Sequence, residues 1–278
     1  MISSTIFSMN RPCQLDLTIR TITKKLPWVK NISVVYRATE QQYIDGYNLL
    51  IERLKSIRTD ITFIQQGDFR TDLINIFESN TSPYILCFND DDVVLREALY
   101  MDEILEEFNS NPMITSFSLR LSDSLTNAYY YDYPVTPQPD FIGNNDKYLL
   151  WDWTKSQGDW GYPHACCTTI FKRKQWGEFL ERGFSNPPTF EGYVTCYMTS
   201  PDAPYSICHK DQVAISTPMN RISGGNMCNM SGLYTIEKLN EYYLNGQMIN
   251  DEVIYGIKPN TPHFEVEFEF VPWSYTND

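Results

Sequence analysis

The sequence predicts an α/β fold, a mostly parallel central sheet flanked by helices, with a smaller mixed or antiparallel region in its second half. Three observations predict it. The first ninety or so residues alternate between short apolar runs and segments of helical spacing, the pattern of a parallel sheet with crossover helices. A continuous apolar run at residues 84–88 then passes through Asn89 directly into Asp90, Asp91 and Asp92. A strand covered on both faces does this when it delivers polar groups to the carboxyl edge of its sheet. From Ser122 onward the periodicity fades, and aromatic and turn residues replace it.

Residues 2–8 (ISSTIFS) read as the first strand, and Met9, Asn10, Arg11 and Pro12 as the turn after it. The proline suits the first turn of a helix whose inner face is Leu15, Ile19, Ile22 and Leu26. Asn10 and Arg11 then stand at the strand's carboxyl mouth, where Arg11 reads either as a phosphate or nucleobase contact or as an exposed turn arginine. Residues 32–36 (ISVVY) form the second strand and run into Arg37, and Tyr47, Leu50, Ile51 and Leu54 mark the next helix. A short third strand at 61–64 and a helix over 71–79, with Leu73, Ile76 and Phe77 inward, lead into the acidic strand. Beyond it, Met101, Ile104, Leu105 and Phe108 define a helix and residues 113–121 (MITSFSLRL) a strand.

The acidic triplet has two readings. It is either a solvated turn or a place where a cation relieves the repulsion among three adjacent carboxylates. A hard divalent ion, Mn²⁺ or Mg²⁺, held by one or two carboxylates and completed by substrate phosphates, meets the second. No GxGxxG or GxxxxGKS loop follows any of the early strands, which argues against a dinucleotide-binding domain and a P-loop nucleotidase.

In the aromatic stretch, Trp151, Trp153, Trp160 and the tyrosines at 129–131 read either as flat faces for a sugar ring or base or as anchors of a long loop. Asp152 and Asp159 among them are candidate hydrogen-bond acceptors or bases. Residues 168–171 read as a strand, followed by a helix with Trp176, Phe179 and Leu180 inward and Gly183 at its end. Pro187 and Pro188 stop any helix before them, and Glu191 lies near the start of the next. A helix N-terminus favours a carboxylate as the anion, the state a base needs to take a proton from a hydroxyl. The alternative is a glutamate that only stabilises its own helix.

Residues 206–215 read as a late strand or hairpin, and residues 218–221 (PMNR) lead into a glycine-rich loop, expected to be a lid carrying Arg221, Gly224 and Gly225. Ile236, Leu239 and Tyr243 mark a helix ending near Gly246. The tail HFEVEFEF alternates strictly and reads as a half-exposed strand, Phe264, Val266, Phe268 and Phe270 on one side and Glu265, Glu267 and Glu269 on the other. His263 before it reads as a member of a metal shell or as an ordinary core or surface histidine.

The formal charge of −13 with no basic cluster argues against a nucleic-acid partner and against docking on anionic lipid. The seven cysteines, an odd number without a CxxC pattern, are expected to be free thiols in a reducing compartment. No apolar run approaches the length a bilayer needs, and the expectation is a soluble, cytoplasmic protein or domain.

With the βαβ pattern, the acidic strand end and the late glutamate in view, the chain resembles the DxD-containing, nucleotide-sugar-dependent glycosyltransferases of the GT-A fold. The MNRP turn, the ISVVY strand and FNDDDVV in the place of the DxD motif carry the resemblance over the first 120 residues. From about Trp151, DWGYP, FEGY and PMNR are similar to a subset of bacterial and viral sugar transferases. The resemblance implies a GT-A-like, Rossmann-like sheet in one domain over 1–278, with 1–121 binding the nucleotide sugar and 122–278 binding the acceptor and carrying the lid loop and last strand.

It also implies site residues. Asp90 would contact the ribose and sugar of the nucleotide donor, Asp92, with Asp90, would bind Mn²⁺ or Mg²⁺ on the diphosphate, and Asp91 would assist. Asn10, Arg11 and Arg37 would border the nucleotide. For an inverting enzyme Glu191 is the first candidate base and Asp159 the second, with Trp151, Trp153, Trp160 and Asp152 on the acceptor side. The expected partners are a UDP- or GDP-linked sugar and a glycan or glycoconjugate hydroxyl. Two alternatives remain open: a nucleotidyltransferase that makes sugar nucleotides, although MNRP is a poor substitute for its glycine-rich basic loop, and a non-catalytic carbohydrate-binding module on the same fold. A haloacid-dehalogenase-type phosphatase needs DxDxT on its first strand, which here carries no aspartate.

Overall fold

A computed structural model of the chain describes residues 1–127, 137–197, 202–220 and 233–275. Its first half alternates as expected: β1 (Ile2–Met9), α1 (Pro12–Lys25), β2 (Val29–Arg37), α2 (Gln41–Lys55), β3 (Ile61–Gln65), α3 (Phe69–Ser79) and β4 (Tyr84–Asn89). The acidic turn then opens into a three-residue strand, β5 (Asp92–Val94), followed by α4 (Met101–Ser110) and β6 (Ile114–Ser118). The second half holds β7 (Phe141–Asn144), β8 (Tyr148–Asp152), β9 (Thr169–Lys172), α5 (Arg173–Leu180), α6 (Pro187–Tyr197), β10 (Tyr205–His209) and β11 (Ala214–Ser216). It ends with α7 (Ile236–Leu244), β12 (Gln247–Ile249), α8 (Glu252–Tyr255) and β13 (Phe270–Pro272).

One nine-stranded sheet runs through both halves in the order β3-β2-β1-β4-β9-β6-β10-β8-β7. The strands β3, β2, β1 and β4 are parallel, as are β6 and β10, while β9 lies antiparallel between β4 and β6. The antiparallel pairs β10–β8 and β8–β7 form the far edge. The fold is thus α/β with a mostly parallel central sheet and an antiparallel region in the second half.

Alternation along the strands sends side chains to two layers. Ile6, Val34, Leu86 and Phe88 meet Leu15, Ile19, Leu50 and Ile104 on one face, whereas Phe7, Val35, Ile85 and Cys87 meet Leu73, Trp176, Phe179 and Phe190 on the other. Five described cysteines, Cys13, Cys87, Cys166, Cys167 and Cys208, are free and buried. No helix among the described residues is long and apolar enough to cross a membrane.

Two stretches differ from the sequence-based expectation. Residues 141–152, read as irregular, form the hairpin β7–β8, whose YLLWD run pairs with β10. The tail keeps its alternation, with Val266 and Phe268 buried and Glu267 and Glu269 exposed, but only Phe270 belongs to a strand. Its backbone is satisfied from other directions: Tyr234 Oη takes the Phe268 N–H and donates to the Phe268 carbonyl, and the Asn250 N–H donates to the Glu269 carbonyl. Alternation reports which face is buried, not whether a neighbouring strand exists.

Helix α1 is buried all round, down to Gln14, Asp16, Thr18, Arg20 and Thr21, because α2, α7, β5 and β12 pack about it. Close approach of α2 depends on Gly46, where an added Cβ would sit 2.6 Å from the Pro12 ring and 2.4 Å from Asn240 Oδ1. Glycine to alanine inside an exposed helix normally stabilises by about 1 kcal/mol. Here the rigid proline ring reverses the sign: Gly46→Ala is expected to destabilise the fold by about 1–3 kcal/mol in urea titration.

Candidate active site

A cleft of about 1060 Å³ opens where the parallel strands end. Met9, Arg11 and Arg37 line it from the mouths of β1 and β2, and Asn89, Asp90 and Asp91 from the end of β4. Arg120, Asp159, Tyr162, Glu191, Asn220 and His263 line it from the second half. Such placement follows from the topology, since open α/β sheets bind ligands at their strands' carboxyl ends.

The acidic turn is held by groups the chain brings from far away. Thr18 Oγ1 of α1 donates to the carbonyls of Asp90 (3.0 Å) and Asp92 (2.7 Å), and Thr217 holds the Asp91 carbonyl through both its N–H (2.7 Å) and its hydroxyl (2.9 Å). Its three carboxylates have separate surroundings. Asp90 is buried: Oδ2 accepts from Ser8 Oγ (2.9 Å) and the Met9 N–H (3.0 Å), and Oδ1 from Arg11 Nη1 (2.9 Å). Asp91 faces the cleft, and its Oδ2 accepts from the same Arg11 nitrogen at 3.0 Å. Asp92 is 0% exposed, with Oδ2 on the Asn89 N–H (2.7 Å) and Oδ1 on Ser216 Oγ (2.5 Å) across the β5–β11 pair.

Burial pushes the Asp90 carboxyl up to about 6, with the Asp91 charge acting in the same direction and Arg11 opposing it. Asp92 is raised well above the carboxylate range, again by burial first and Asp91 second. The cation nearest the triplet is therefore the protein's own Arg11, fixed on its other side by Asn220, whose Oδ1 accepts from Nε (2.8 Å) and whose carbonyl accepts from Nη2 (2.5 Å).

Whether this donor set fits a divalent ion is decided oxygen by oxygen. Both oxygens of Asp90 and of Asp92 already accept hydrogen bonds, and Asp91 Oδ1 is the carboxylate oxygen of the turn without a partner among the described residues. No group of three or more His, Cys, Asp or Glu among the described residues is arranged to hold a metal alone. The turn fits Mn²⁺ or Mg²⁺ through Asp91, in the manner of an ion bound by one carboxylate and substrate phosphates. Asp92 and Asp90, the two residues to which the sequence reading gives the metal, are buried with each oxygen already accepting a hydrogen bond, whereas Asp91 faces the cleft. Sequence adjacency could not reveal that the three side chains point to three environments.

The second carboxylate pole comes from α6. Pro187 opens that helix instead of only ending the segment before it, and Asn186 Oδ1 accepts from the Thr189 N–H at 2.9 Å, as an N-cap does. Glu191 stands beyond the first turn, so burial and Tyr162 set its state more than the helix terminus does. Burial raises its pKa, against a 2.9 Å hydrogen bond from Tyr162 Oη and the charge of Arg120. Asp159 is paired to buried Arg120 at 2.5 Å, and His263 Nε2 lies 3.9 Å from the same carboxylate oxygen. Burial lowers the His263 imidazole to about 3, so the ring is neutral near pH 7.

No family model matches the chain. In sequence it is 25% identical over 181 residues to the bifunctional glycosyltransferase pgtA of Dictyostelium discoideum, a stretch covering 60% of this chain. The chain resembles a glycosyltransferase. It spans 23% of that relative's length. Among solved structures, S. aureus TarS 1-349 in complex with UDP-GlcNAc superposes with a TM-score of 0.48 at 10% identity, over 84% of this chain and 61% of that one. The mannosyltransferase PcManGT from Pyrobaculum calidifontis, in complex with GDP-Man and Mn²⁺, superposes at 0.36 and 12% identity, over 69% of this chain and 50% of that one.

Of the residues the sequence singled out, Arg11, Arg37, Asp90, Asp91, Asp159 and Glu191 line the one cleft. The others do not. Asn10 adopts a left-handed conformation (φ 58°) and spends its amide on Thr39, with Nδ2 on Thr39 Oγ1 and Oδ1 on the Thr39 N–H, so it ties β1 to β2. Trp151 and Trp160 are wholly buried edge to face, with the Trp151 indole N–H on the Trp160 carbonyl, and Trp153 donates to the Ala203 carbonyl. They anchor the segment and offer no face to an acceptor. Asp152 accepts from the Thr154 N–H and pairs with Lys155, a local cap. The tyrosines at 129–131 and the lid residues Arg221, Gly224 and Gly225 lie outside the described residues.

Arg120, Tyr162, Ser216 and Asn220 were not singled out. Asn220 carried a signal as part of PMNR and Tyr162 as part of DWGYP; Arg120 and Ser216 sit in ordinary apolar contexts and acquire meaning from what the fold places opposite them. The different surroundings of Asp92 and Asp91 give different expected losses. Asp92→Ala strands the part-buried Asn89 N–H and the buried Ser216 hydroxyl and is expected to cost about 2–4 kcal/mol in chemical denaturation, whereas Asp91→Ala is expected to cost under about 1 kcal/mol.

Proposed function

We propose that the chain is a glycosyltransferase that moves a sugar from a nucleotide-diphosphate donor to a glycan hydroxyl, with inversion and a carboxylate base. The observation that carries this reading is the meeting in one cleft of the Arg11–Asp90–Asp91 cluster at the sheet's mouth with Glu191 of α6, a carboxylate whose pKa burial raises. The sequence likeness to a glycosyltransferase supports it.

In this reading the nucleotide lies along the mouths of β1 and β2. Arg37, exposed and without an ion pair among the described residues, meets the negative charge of the diphosphate. Asp91 would hold a divalent ion with the phosphates, and that ion would neutralise charge growing on the leaving diphosphate. Glu191 takes the proton of the acceptor hydroxyl as its oxygen attacks the anomeric carbon from the face opposite the diphosphate. Tyr162 orients Glu191 and favours its ionised form. Asp159, paired with Arg120, is the second candidate base.

Calorimetry with UDP, GDP and their sugar conjugates, in Mn²⁺ and in EDTA, is the first test. Binding of one nucleotide sugar followed by turnover supports the reading; binding of a glycan without turnover of any nucleotide sugar would establish the non-catalytic module instead. Glu191→Gln is expected to lower kcat/KM by about 10²–10⁴-fold while leaving nucleotide binding intact.

The pH profile gives a further check. The base works ionised, so activity should rise with pH through a pKa above the ordinary glutamate value. The Tyr162 hydroxyl stabilises the anion, so Tyr162→Phe should move this acid limb to still higher pH. A limb that does not move removes Glu191 from the role and passes it to Asp159.

A further inference from the structure

Among the described residues three glycines stand inside α-helices: Gly46 in α2, Gly177 in α5 and Gly192 in α6. Two of them are there for packing. An added Cβ at Gly46 would run into Pro12, and one at Gly177 would sit 3.0 Å from the Phe77 ring. Gly192 has no such reason. Nothing among the described residues comes within 4 Å of the place its Cβ would take, and its φ is not in the left-handed region. A glycine so placed loosens its helix and returns no contact.

Its position shows what the open space serves. Gly192 is exposed and lines the cleft, as do Pro187, Pro188 and Glu191 of the same helix. Residues three and four apart share a helix face, so Pro188, Glu191 and Gly192 make one strip: a pyrrolidine ring, a carboxylate and a stretch of bare backbone. Cβ atoms tilt toward a helix's N-terminus, so a side chain at 192 would lie over the turn that carries Pro188, on the strip itself. Tyr162 Oη holds Glu191 Oε1 at 2.9 Å, which fixes the carboxylate against this strip. A hydroxyl that gives Glu191 its proton must come within about 2.6–3.2 Å of it, and the ring bearing that hydroxyl needs room beside the same turn. Glycine is the residue that lets a ligand come close to backbone. The groups that would meet the donor, Arg11, Arg37 and Asp91, stand instead at the mouths of β1, β2 and β4.

We infer that Gly192 is an acceptor-recognition residue. The strip from Pro188 to Gly192 receives the face of a saccharide ring whose hydroxyl meets Glu191, and the absent side chain sets how closely that ring approaches. The inference rests on the glycosyltransferase reading of the cleft and adds the wall on which the acceptor lies.

The test compares Gly192→Ala and Gly192→Leu with wild type. Both residues favour helix more than glycine does, and Gly192→Ala should raise the melting temperature by about 2–3 °C. Turnover of the UDP- or GDP-linked sugar that calorimetry selects is followed with an array of mono- and oligosaccharides and with water alone, and the best saccharide acceptor of wild type is carried forward. Gly192→Ala should raise KM for that acceptor about tenfold and Gly192→Leu further, the effect of a methyl group or more in a fitted site, while the Kd of the nucleotide sugar stays within about twofold. Water needs no room beside the helix, so the ratio of transfer to hydrolysis should fall as the side chain grows. A stabilised Gly192→Ala with the wild-type acceptor KM would overturn the inference. An equal loss of nucleotide-sugar affinity would overturn it as well, since the space would then belong to the donor. So would donor hydrolysis by wild type without transfer to any saccharide, a result that leaves the donor site standing. If wild type neither binds nor turns over any nucleotide sugar, the underlying reading itself fails and takes the inference with it.

Discussion

The buried guanidinium of Arg11 is the constraint on which the cleft depends. A charge taken out of water needs partners on every side, and this one has them: Asp90 and Asp91 through Nη1, and Asn220 through Nε and Nη2. The dependence is mutual. Three adjacent carboxylates could not share one turn without a cation beside the first two and a buried hydrogen-bonded pocket for the third. Because Arg11 follows the first strand, the aspartates the fourth and Asn220 the eleventh, one ionic cluster joins three distant parts of the sequence.

Helix α1 makes that cluster rigid. Its outer side is neutralised by an ion network in which Asp16 meets Arg20 (2.8 Å) and Arg53 while Arg20 reaches Asp251 (2.5 Å), and Arg20 Nη2 donates to the Ile249 carbonyl. Its inner side uses Thr18 and Thr21 to hold the backbone of the acidic turn and of β5. A helix so placed cannot shift without breaking contacts on both sides, and the first residue of the cleft cluster immediately precedes it. Preorganisation of this kind keeps the site's dipoles aimed before any ligand arrives.

Much of the fold was legible because its signals are local. Apolar runs and helical spacing located β1 to β4 and the helices between them to within a few residues, and the acidic strand end marked the mouth of the sheet. The residues that give the cleft its chemistry were legible only in part. Asp91 and Asp92 are neighbours of identical type, and what separates them is the hydroxyl of Ser216, 124 residues away. Trp151 and Trp160 had the composition of a binding surface and the location of a core, since the antiparallel strand beneath them is paired with β10, far along the chain. The glutamate tail alternated like a strand because burial alone imposes alternation. In each case the missing information was a long-range partner.

That same long-range pairing bears on how the protein is made. Strand β11 closes on the acidic turn, and Thr217, Ser216 and Asn220 supply bonds without which Arg11 and the aspartates have no fixed arrangement. While the chain emerges from the ribosome, β1 to β4 can pair early, yet the acid pole of the cleft stays incomplete until residues near 220 have been added. Contacts of this span are slow to form and leave the half-built sheet, with β4 still lacking its antiparallel neighbour β9, exposed to wrong pairing in the interval.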